Sequence, residues 1–561
     1  MSLGQCSLTG PKDENQDSLA ACIPIDSALS LKGIALAVAD GISTSKVSRI
    51  AAETAVTGFI GDYYSTPDSW SVKLSARRVI ESLNSWLYAQ SQHAQSSDMN
   101  QGYVCTLSAM VIKGQSGHIF HVGDSAVLRY REGVLESLTE PHEWVISETE
   151  RYLGRALGAK GSVEIDYRCV ALQEGDIFIL ATDGVVDYLG SPLLDDALAS
   201  GDVEQAARMV AESALGQGSD DNATVQILRV EHLADTDFSL TPIDADSLLP
   251  VASLAPDQLV DGYRVIRQIH ATDRSTVYLA QGETGERVVL KIPPQEVATD
   301  PVAQRRFLFE EWVLKRLSSP HIVRAAATHQ PKSLCYVAME YVEGKTLRQW
   351  MLDNPKVDLQ QARVIAAQII QGLRALHRAE MLHQDLRPEN VMIDVNGTVK
   401  LIDLGSVTVA GIEEAAAGTL GFMPGTLQYT APEYLSGDLV SWRADQYALG
   451  VIVYEMLTGN LPYGTTVAHV RSPRDQQRLS YRPAGNGVLP WIDHALATAV
   501  HKDPLRRYDA LSAFLADLHQ PAKGFVPLSK RPLADRHPVR FWQTVSALLG
   551  LLVVLQWALL C

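Results

Sequence analysis

Apolar residues form two kinds of run along this chain, and the change between them divides it. Up to about Val230, short runs (Gly33 to Ala39, Leu107 to Ile112, His118 to Val122, Ile177 to Ala181, Ala223 to Leu228) have the length and composition of strands. Among them, Lys46 to Phe59 and Val72 to Gln90 space their apolar residues as helices do. This pattern predicts an α+β unit over residues 1–230. Glu231 to Gln258 then turns to Asp, Pro, Ser and Leu with no Lys or Arg, which predicts an acidic, solvated linker at 231–258. Beyond it, Tyr263 to Pro293 is strand-like, while Pro301 to Ser318 and most of Gln360 to Leu518 are helical. A small sheet followed by a larger helical body predicts a bilobal unit over 259–520.

The last stretch has a third pattern. Phe541 to Cys561 holds 21 residues without a charge, and as a helix would run about 31 Å, enough to cross a hydrocarbon core. Lys523, Lys530, Arg531, Arg536 and Arg540 precede it, and Trp542 and Trp557 stand near its ends. That arrangement predicts a basic juxtamembrane segment at 521–540 and a single transmembrane helix at 541–561 with the preceding domains in the cytoplasm. A buried C-terminal helix is the alternative.

Composition narrows the partners. A chain of 561 residues with 46% hydrophobic content exceeds one core. Its formal net charge of -17 argues against nucleic acid and leaves protein substrates as the better fit. Six scattered cysteines without CxxC or zinc spacing predict reduced thiols. Met1 to Asp17 is polar and lacks the apolar core of a signal peptide, so the N-terminus is expected to stay in the cytoplasm.

Two sets of residues carry chemistry. In the second half, Lys291 ends the run Val288 to Leu290, and Glu310 lies in the next helix, where it could pair with that lysine. His383-Gln384-Asp385-Leu386-Arg387-Pro388-Glu389-Asn390 offers a carboxylate at Asp385 and a metal-ligating amide at Asn390, and Asp403-Leu404-Gly405 offers a second ligand. Phosphoryl transfer needs these parts: a held nucleotide, a metal between phosphates and a carboxylate to orient the hydroxyl. From Tyr263 to Leu518 the chain resembles the eukaryotic-type serine/threonine protein kinases of bacteria. The resemblance implies that Lys291 contacts the ATP phosphates, Glu310 holds Lys291, Asp385 is the base, and Asn390 and Asp403 bind Mg²⁺. Arg387 would serve the γ-phosphate, Glu433 of Ala431-Pro432-Glu433 would pair with Arg507, and Asp445 would brace the catalytic loop. The nucleotide would lie between the loop from Ile269 to Val277, touching His270 and Val277, and a hinge from Glu340 to Val342, with Met339 at the back of the adenine pocket. That loop departs from the family: its three glycine positions read His270, Thr272 and Ser275, and side chains there hinder close approach to phosphate. Gln384 replaces the usual arginine, so switching by phosphate on Thr408 or Thr419 loses its anchor.

In the first half, acidic residues stand at the ends of strand-like runs: Asp40-Gly41, Gly123-Asp124-Ser125 and Thr182-Asp183-Gly184 after them, and Asp220-Asp221-Asn222 before the run Ala223 to Leu228. Carboxylates delivered at strand ends can converge on hard divalent cations, and a pair of such cations activates water for phosphomonoester hydrolysis. With Asn15-Gln16-Asp17 ahead of them, these segments resemble the metal-dependent serine/threonine phosphatases of the 2C type over Leu3 to Val230. The resemblance implies a β-sandwich flanked by helices and a Mn²⁺ or Mg²⁺ centre. There Asp40 bridges two ions, the Gly41 carbonyl binds one, Asp183 and Asp221 bind the other, Asp124 serves a third, and Asp17 supports them. Lys12 stands where the family has a phosphate-clamping arginine, a point charge in place of a two-pronged fork. His121 reads as a packed core residue.

The combined expectation is a multidomain α+β protein: phosphatase sandwich, kinase fold, then a membrane helix. It would phosphorylate and dephosphorylate protein serine and threonine from a bacterial inner membrane, possible targets including its own phosphosites. The alternative is a membrane-anchored phosphatase with a nucleotide-binding pseudokinase scaffold. The sequence leaves the substrates and the oligomeric state open.

Overall fold

A computed structural model describes residues 1–93, 102–145, 151–233, 248–251, 253–327, 330–414, 428–436, 440–464, 467, 470, 472–485, 487–522, 525, 541–550 and 556. In the first half two antiparallel five-stranded sheets face each other. One runs Ser2–Leu8, Ala223–Arg229, Ile177–Ala181, Ala126–Arg131, Val134–Ser137 in spatial order; the other runs Asp166–Ala171, Ser116–Val122, Leu107–Lys113, Ile34–Asp40, Asp17–Cys22. Strand alternation explains the layering. Ile34, Leu36 and Val38 point between the sheets, where they meet Met110, Phe178, Leu180 and Leu228. The intervening Ala35, Ala37 and Ala39 face outward onto helices Ser48–Ser65 and Val72–His93, which bury Ala51, Ala52, Ala55 and Phe59 in the same cluster. Small residues on both surfaces let helix and sheet close together. Helices Ser191–Leu198 and Val203–Gly216 cover the other sheet in the same way. The expected helix-flanked sandwich is thus a four-layer α-β-β-α arrangement.

The second half starts with an antiparallel sheet of strands Leu259–Val260, Tyr263–Thr272, Ser275–Gln281, Arg287–Ile292 and Val337–Glu340, accompanied by helix Pro301–Lys315. A larger helical body follows, centred on Leu359–Arg378, Arg443–Thr458, Pro490–Ala499 and Leu511–His519. Helix Leu359–Arg378 opens with a reciprocal cap: Asp358 accepts from the Gln361 amide, and the Gln361 side chain accepts from the Asp358 amide. Asp358→Ala removes half of that cap, and is expected to cost about 1 kcal/mol of stability, readable as a lower denaturant midpoint.

One expectation needs correction. The segment 231–258 is not solvated throughout: Leu254 is buried with Tyr263 and Tyr278, and Leu249 bridges to Leu334, which packs against the same cluster. Its residues 234–247 and 252 lie outside the described residues. At the C-terminus, residues 541–550 are helical, but among the described residues no helix is long and apolar enough to cross a membrane. Most of the remaining expected span, including Trp557, and the basic residues Lys523, Lys530, Arg531, Arg536 and Arg540 lie outside the described residues, as does Thr419. The five described cysteines, Cys6, Cys22, Cys105, Cys169 and Cys335, are free thiols.

Candidate active sites

In the sandwich, antiparallel pairing sets Asp17 directly opposite Asp40. The Asp40 amide donates to Thr106 Oγ1 at 2.9 Å and its carbonyl accepts from the Thr106 amide at 2.8 Å, which fixes the strand end. Thr182, just before Asp183, donates its hydroxyl to Asp17 Oδ2 at 2.8 Å. Gly184 is required by close approach: a Cβ there would stand 2.1 Å from the Asn222 carbonyl oxygen. That contact brings the Asp183 turn against the Asp221 turn.

The acids therefore share one electrostatic neighbourhood. Burial, then Asp17, Asp183 and Asp124, push the Asp40 carboxyl well above the carboxylate range. Burial, then Asp124, Asp221 and Asp17, raise Asp183 to about 7. Buried like charges of this kind need a cation or protons. Asp221 already has a cation, since Lys12 Nζ lies 3.1 Å from its Oδ2. Among the described residues no three His, Cys, Asp or Glu side chains stand close enough to hold an ion as they are. The donor set is nonetheless all oxygen, the kind hard divalent ions take.

The second site lies between sheet and helical body. Lys291, on strand Arg287–Ile292, donates to Glu310 Oε2 at 2.8 Å and to Asp403 Oδ1 at 2.7 Å. Burial opposes the ammonium charge, but Glu310 and Asp403 outweigh it and raise the lysine above its ordinary value. Burial likewise opposes ionisation of Asp403, yet Lys291 holds it below the usual carboxylate range. Glu310 also receives the Leu404 amide at 3.1 Å, tying helix Pro301–Lys315 to the turn after Asp403. Asp403 itself sits at φ 60°, in the left-handed region that side chains seldom occupy.

Asn390 Nδ2 donates to the Asp385 carbonyl at 2.8 Å and to Asp385 Oδ2 at 3.0 Å, orienting that carboxylate. Arg387 Nε stands 3.9 Å from Asp385 Oδ2. Beneath them, buried Asp445 accepts from the His383 amide, the Gln384 amide and His377 Nε2 at 3.0, 3.1 and 2.8 Å. Glu433 and Arg507 form a two-pronged pair with both contacts at 2.7 Å. Val342 and Met339 are buried, while Glu340 pairs with Lys400 at 2.7 Å. His270 is exposed and opposite Val277 in a two-residue hairpin closed by Thr272, whose Oγ1 accepts from the Arg274 and Ser275 amides.

The family models agree with this division. The protein kinase domain model matches residues 263–513, and the protein phosphatase 2C model matches residues 11–218. The chain joins a protein phosphatase 2C domain to a protein kinase domain. The kinase domain is 29% identical to the serine/threonine-protein kinase PrkC of Bacillus subtilis (strain 168), over 46% of this chain and 40% of that protein. It is 31% identical to the serine/threonine-protein kinase PknL of Mycobacterium tuberculosis, over 46% of this chain and 64% of that protein. The chain thus spans less than two thirds of the length of these relatives. A solved PPM Ser-Thr phosphatase, MsPP from Mycobacterium smegmatis, is 22% identical with a TM-score of 0.35, covering 41% of this chain and 98% of that one.

Several residues in the phosphatase and kinase domains escape sequence reasoning. Asn222 pins the N-terminal loop: its Oδ1 accepts from the Gln16 amide at 2.8 Å and its Nδ2 donates to the Thr9 and Glu14 carbonyls. Only its place beside Asp221 singled it out. In the kinase domain, Gln384 Nε2 donates to Thr408 Oγ1 at 2.7 Å, so the residue replacing arginine already engages the segment after Asp403. His121 is a satisfied core histidine, held between Ser108 Oγ at 2.9 Å and the Glu140 carbonyl at 3.0 Å, and burial pushes it down to about 4.

Proposed function

We propose that this chain phosphorylates serine and threonine residues of proteins with ATP and hydrolyses phosphoserine and phosphothreonine, with the two activities in residues 259–520 and 1–230 respectively. The observation that carries the kinase reading is Lys291 held between Glu310 and Asp403 beside an oriented Asp385. Lys291 would grip the α- and β-phosphates, and Arg387 the γ-phosphate. Asp385 would accept the proton of the attacking hydroxyl as its oxygen bonds to the γ-phosphorus and the bond to ADP breaks. Asn390 and Asp403 would hold Mg²⁺, which neutralises phosphate charge when bound. His270, Val277, Glu340 and Val342 would frame the nucleotide.

In the phosphatase domain Asp40, the Gly41 carbonyl, Asp124, Asp183 and Asp221 would hold Mn²⁺ or Mg²⁺. When bound, such ions supply an activated water. Asp17 and Thr182 position the cluster, and Lys12 can turn from Asp221 to the substrate phosphate. The uncharged stretch 541–561 would tie the protein to a membrane, which flotation of the full chain with vesicles, against a chain ending at residue 540, tests.

The rival, a pseudokinase scaffold beside an active phosphatase, rests on the glycine-poor hairpin at His270, Thr272 and Ser275. The complete Lys291 network weighs against it. Radiolabelled ATP separates the two. Asp183→Asn is expected to accumulate more label than wild type and Lys291→Ala none; equal label in Asp183→Asn and Lys291→Ala defeats the kinase reading.

A further inference from the structure

One turn of the phosphatase domain, residues 66–72, touches three parts of the kinase domain that set its catalytic geometry. Asp68 Oδ2 pairs with Arg316 Nη2 at 2.9 Å, immediately after the helix that carries Glu310. Trp70 Nε1 donates to the Arg378 carbonyl at 3.0 Å, at the end of the helix leading into the catalytic loop. The Ser69 carbonyl accepts from the Gly411 amide at 3.1 Å, in the short helix Ala410–Glu413 that follows Asp403 and Thr408.

The kinase domain answers with charge. Helix Val72–His93 of the phosphatase domain starts with free amide groups, as any helix does. The Ser71 amide donates to Glu380 Oε2 at 2.6 Å and the Val72 amide to Glu414 Oε2 at 2.9 Å, so two kinase carboxylates cap that positive end. Lys113, almost wholly buried, donates to the Gly411 carbonyl and lies 3.8 Å from Glu414. Lys32 secures the turn itself, donating to Thr66 Oγ1 and the Pro67 carbonyl at 2.7 and 2.8 Å. Leu31, 4% exposed, is buried within the kinase domain's own core cluster, which also holds Ile412.

Position 411 is fitted for this contact. A Cβ there would stand 2.7, 2.8 and 3.0 Å from the carbonyl oxygens of Trp70, Asp68 and Ser69. A buried lysine facing a carboxylate, mutual capping and a glycine that only the contact requires do not arise on solvent-facing surfaces.

We propose that the phosphatase domain is a built-in clamp that holds the kinase domain's activation segment, from Asp403 to Glu414, in its working position. The clamp supplies the restraint that a phosphate anchored by arginine would give, and Gln384 stands where that arginine is missing. It rests on the kinase reading above.

The full chain carrying Gly411→Ala tests it. Alanine favours a helix more than glycine does, so a loss cannot come from the helix itself. Hydrogen exchange is expected to rise at the amides of Ser71, Val72 and Gly411, which bond across the contact, and at Leu404, which bonds to Glu310. Incorporation of label from ATP is expected to fall at least about fivefold, the low end of typical coupling between sites. Glu414→Gln, which keeps the side-chain shape while removing the charge facing Lys113, is expected to act in the same direction more weakly. Unchanged exchange at Ser71 and Val72 in Gly411→Ala overturns the clamp. So does a rise there that leaves Leu404 and labelling as in wild type. If wild type itself takes up no label, the kinase reading has failed, and exchange at Leu404 alone decides the clamp.

Discussion

Glu433→Ala is expected to cost the kinase domain about 3–5 kcal/mol, a large fraction of the roughly 5–15 kcal/mol that holds a domain folded. Both side chains of the Glu433–Arg507 pair are 0% exposed. The guanidinium makes two contacts of 2.7 Å to the carboxylate and also donates to the His501 and Arg443 carbonyls. Removing the carboxylate therefore strands a charge away from water, a loss far greater than the net worth of the pair itself. Replacing both members separates the two quantities. The double change of Glu433→Ala with Arg507→Met is expected to recover part of the loss, because no buried charge remains. Urea midpoints of the full chain, followed by a probe in the helical body, measure both. A loss under about 1 kcal/mol in the single variant contradicts the assignment, since that is the range of exposed pairs.

The second large effect reverses sign with metal. In the presence of a chelator, Asp40→Asn is expected to stabilise the phosphatase domain, because asparagine is neutral at no cost, whereas Asp40, buried among Asp17, Asp183 and Asp124, must take up a proton to become so. In excess Mn²⁺ the order is expected to invert. Wild type is expected to gain about 2.7 kcal/mol when free metal stands a hundredfold above its Kd, and a variant lacking the Asp40 carboxylate charge is expected to gain far less. Thermal melts of both proteins, with EDTA and with Mn²⁺, give the four numbers. Curves that keep the same order in both conditions would argue against Asp40 as a ligand. Hydrolysis of phosphoprotein by Asp40→Asn is expected to be lost in either condition.

Much of both sites was legible because strand ends announce themselves. An apolar run that stops at Asp40 or Asp183 puts a carboxylate at the rim of a sandwich, and the structure brings Asp17, Asp40, Asp124, Asp183 and Asp221 into one electrostatic field. Lys291, Glu310, Asp385, Asn390 and Asp403 likewise meet as the motif order implied. Other features left no local trace. Strand Asp17–Cys22 is half-buried along its whole length, so it lacks the alternation by which strands are read. The pairing of Lys12 with Asp221 spans 209 residues, and no spacing rule reaches that far. The contact between the domains was illegible for the same reason. Asp68 and Arg316, or Val72 and Glu414, each look like ordinary surface residues until the fold sets them together.

That contact also imposes an order of manufacture. Lys113 meets the Gly411 carbonyl 298 residues later in the chain, which at ordinary synthesis rates means roughly 15–60 s between the emergence of the two partners. Throughout that interval Leu31 and an unneutralised lysine lie open on a finished phosphatase domain, waiting for the kinase to be made. A ribosome that stalls in the interval would leave a half-protein with that apolar and charged face uncovered. Expressing the phosphatase half by itself should reproduce that species, with self-association through the face that Leu31 and Lys113 occupy.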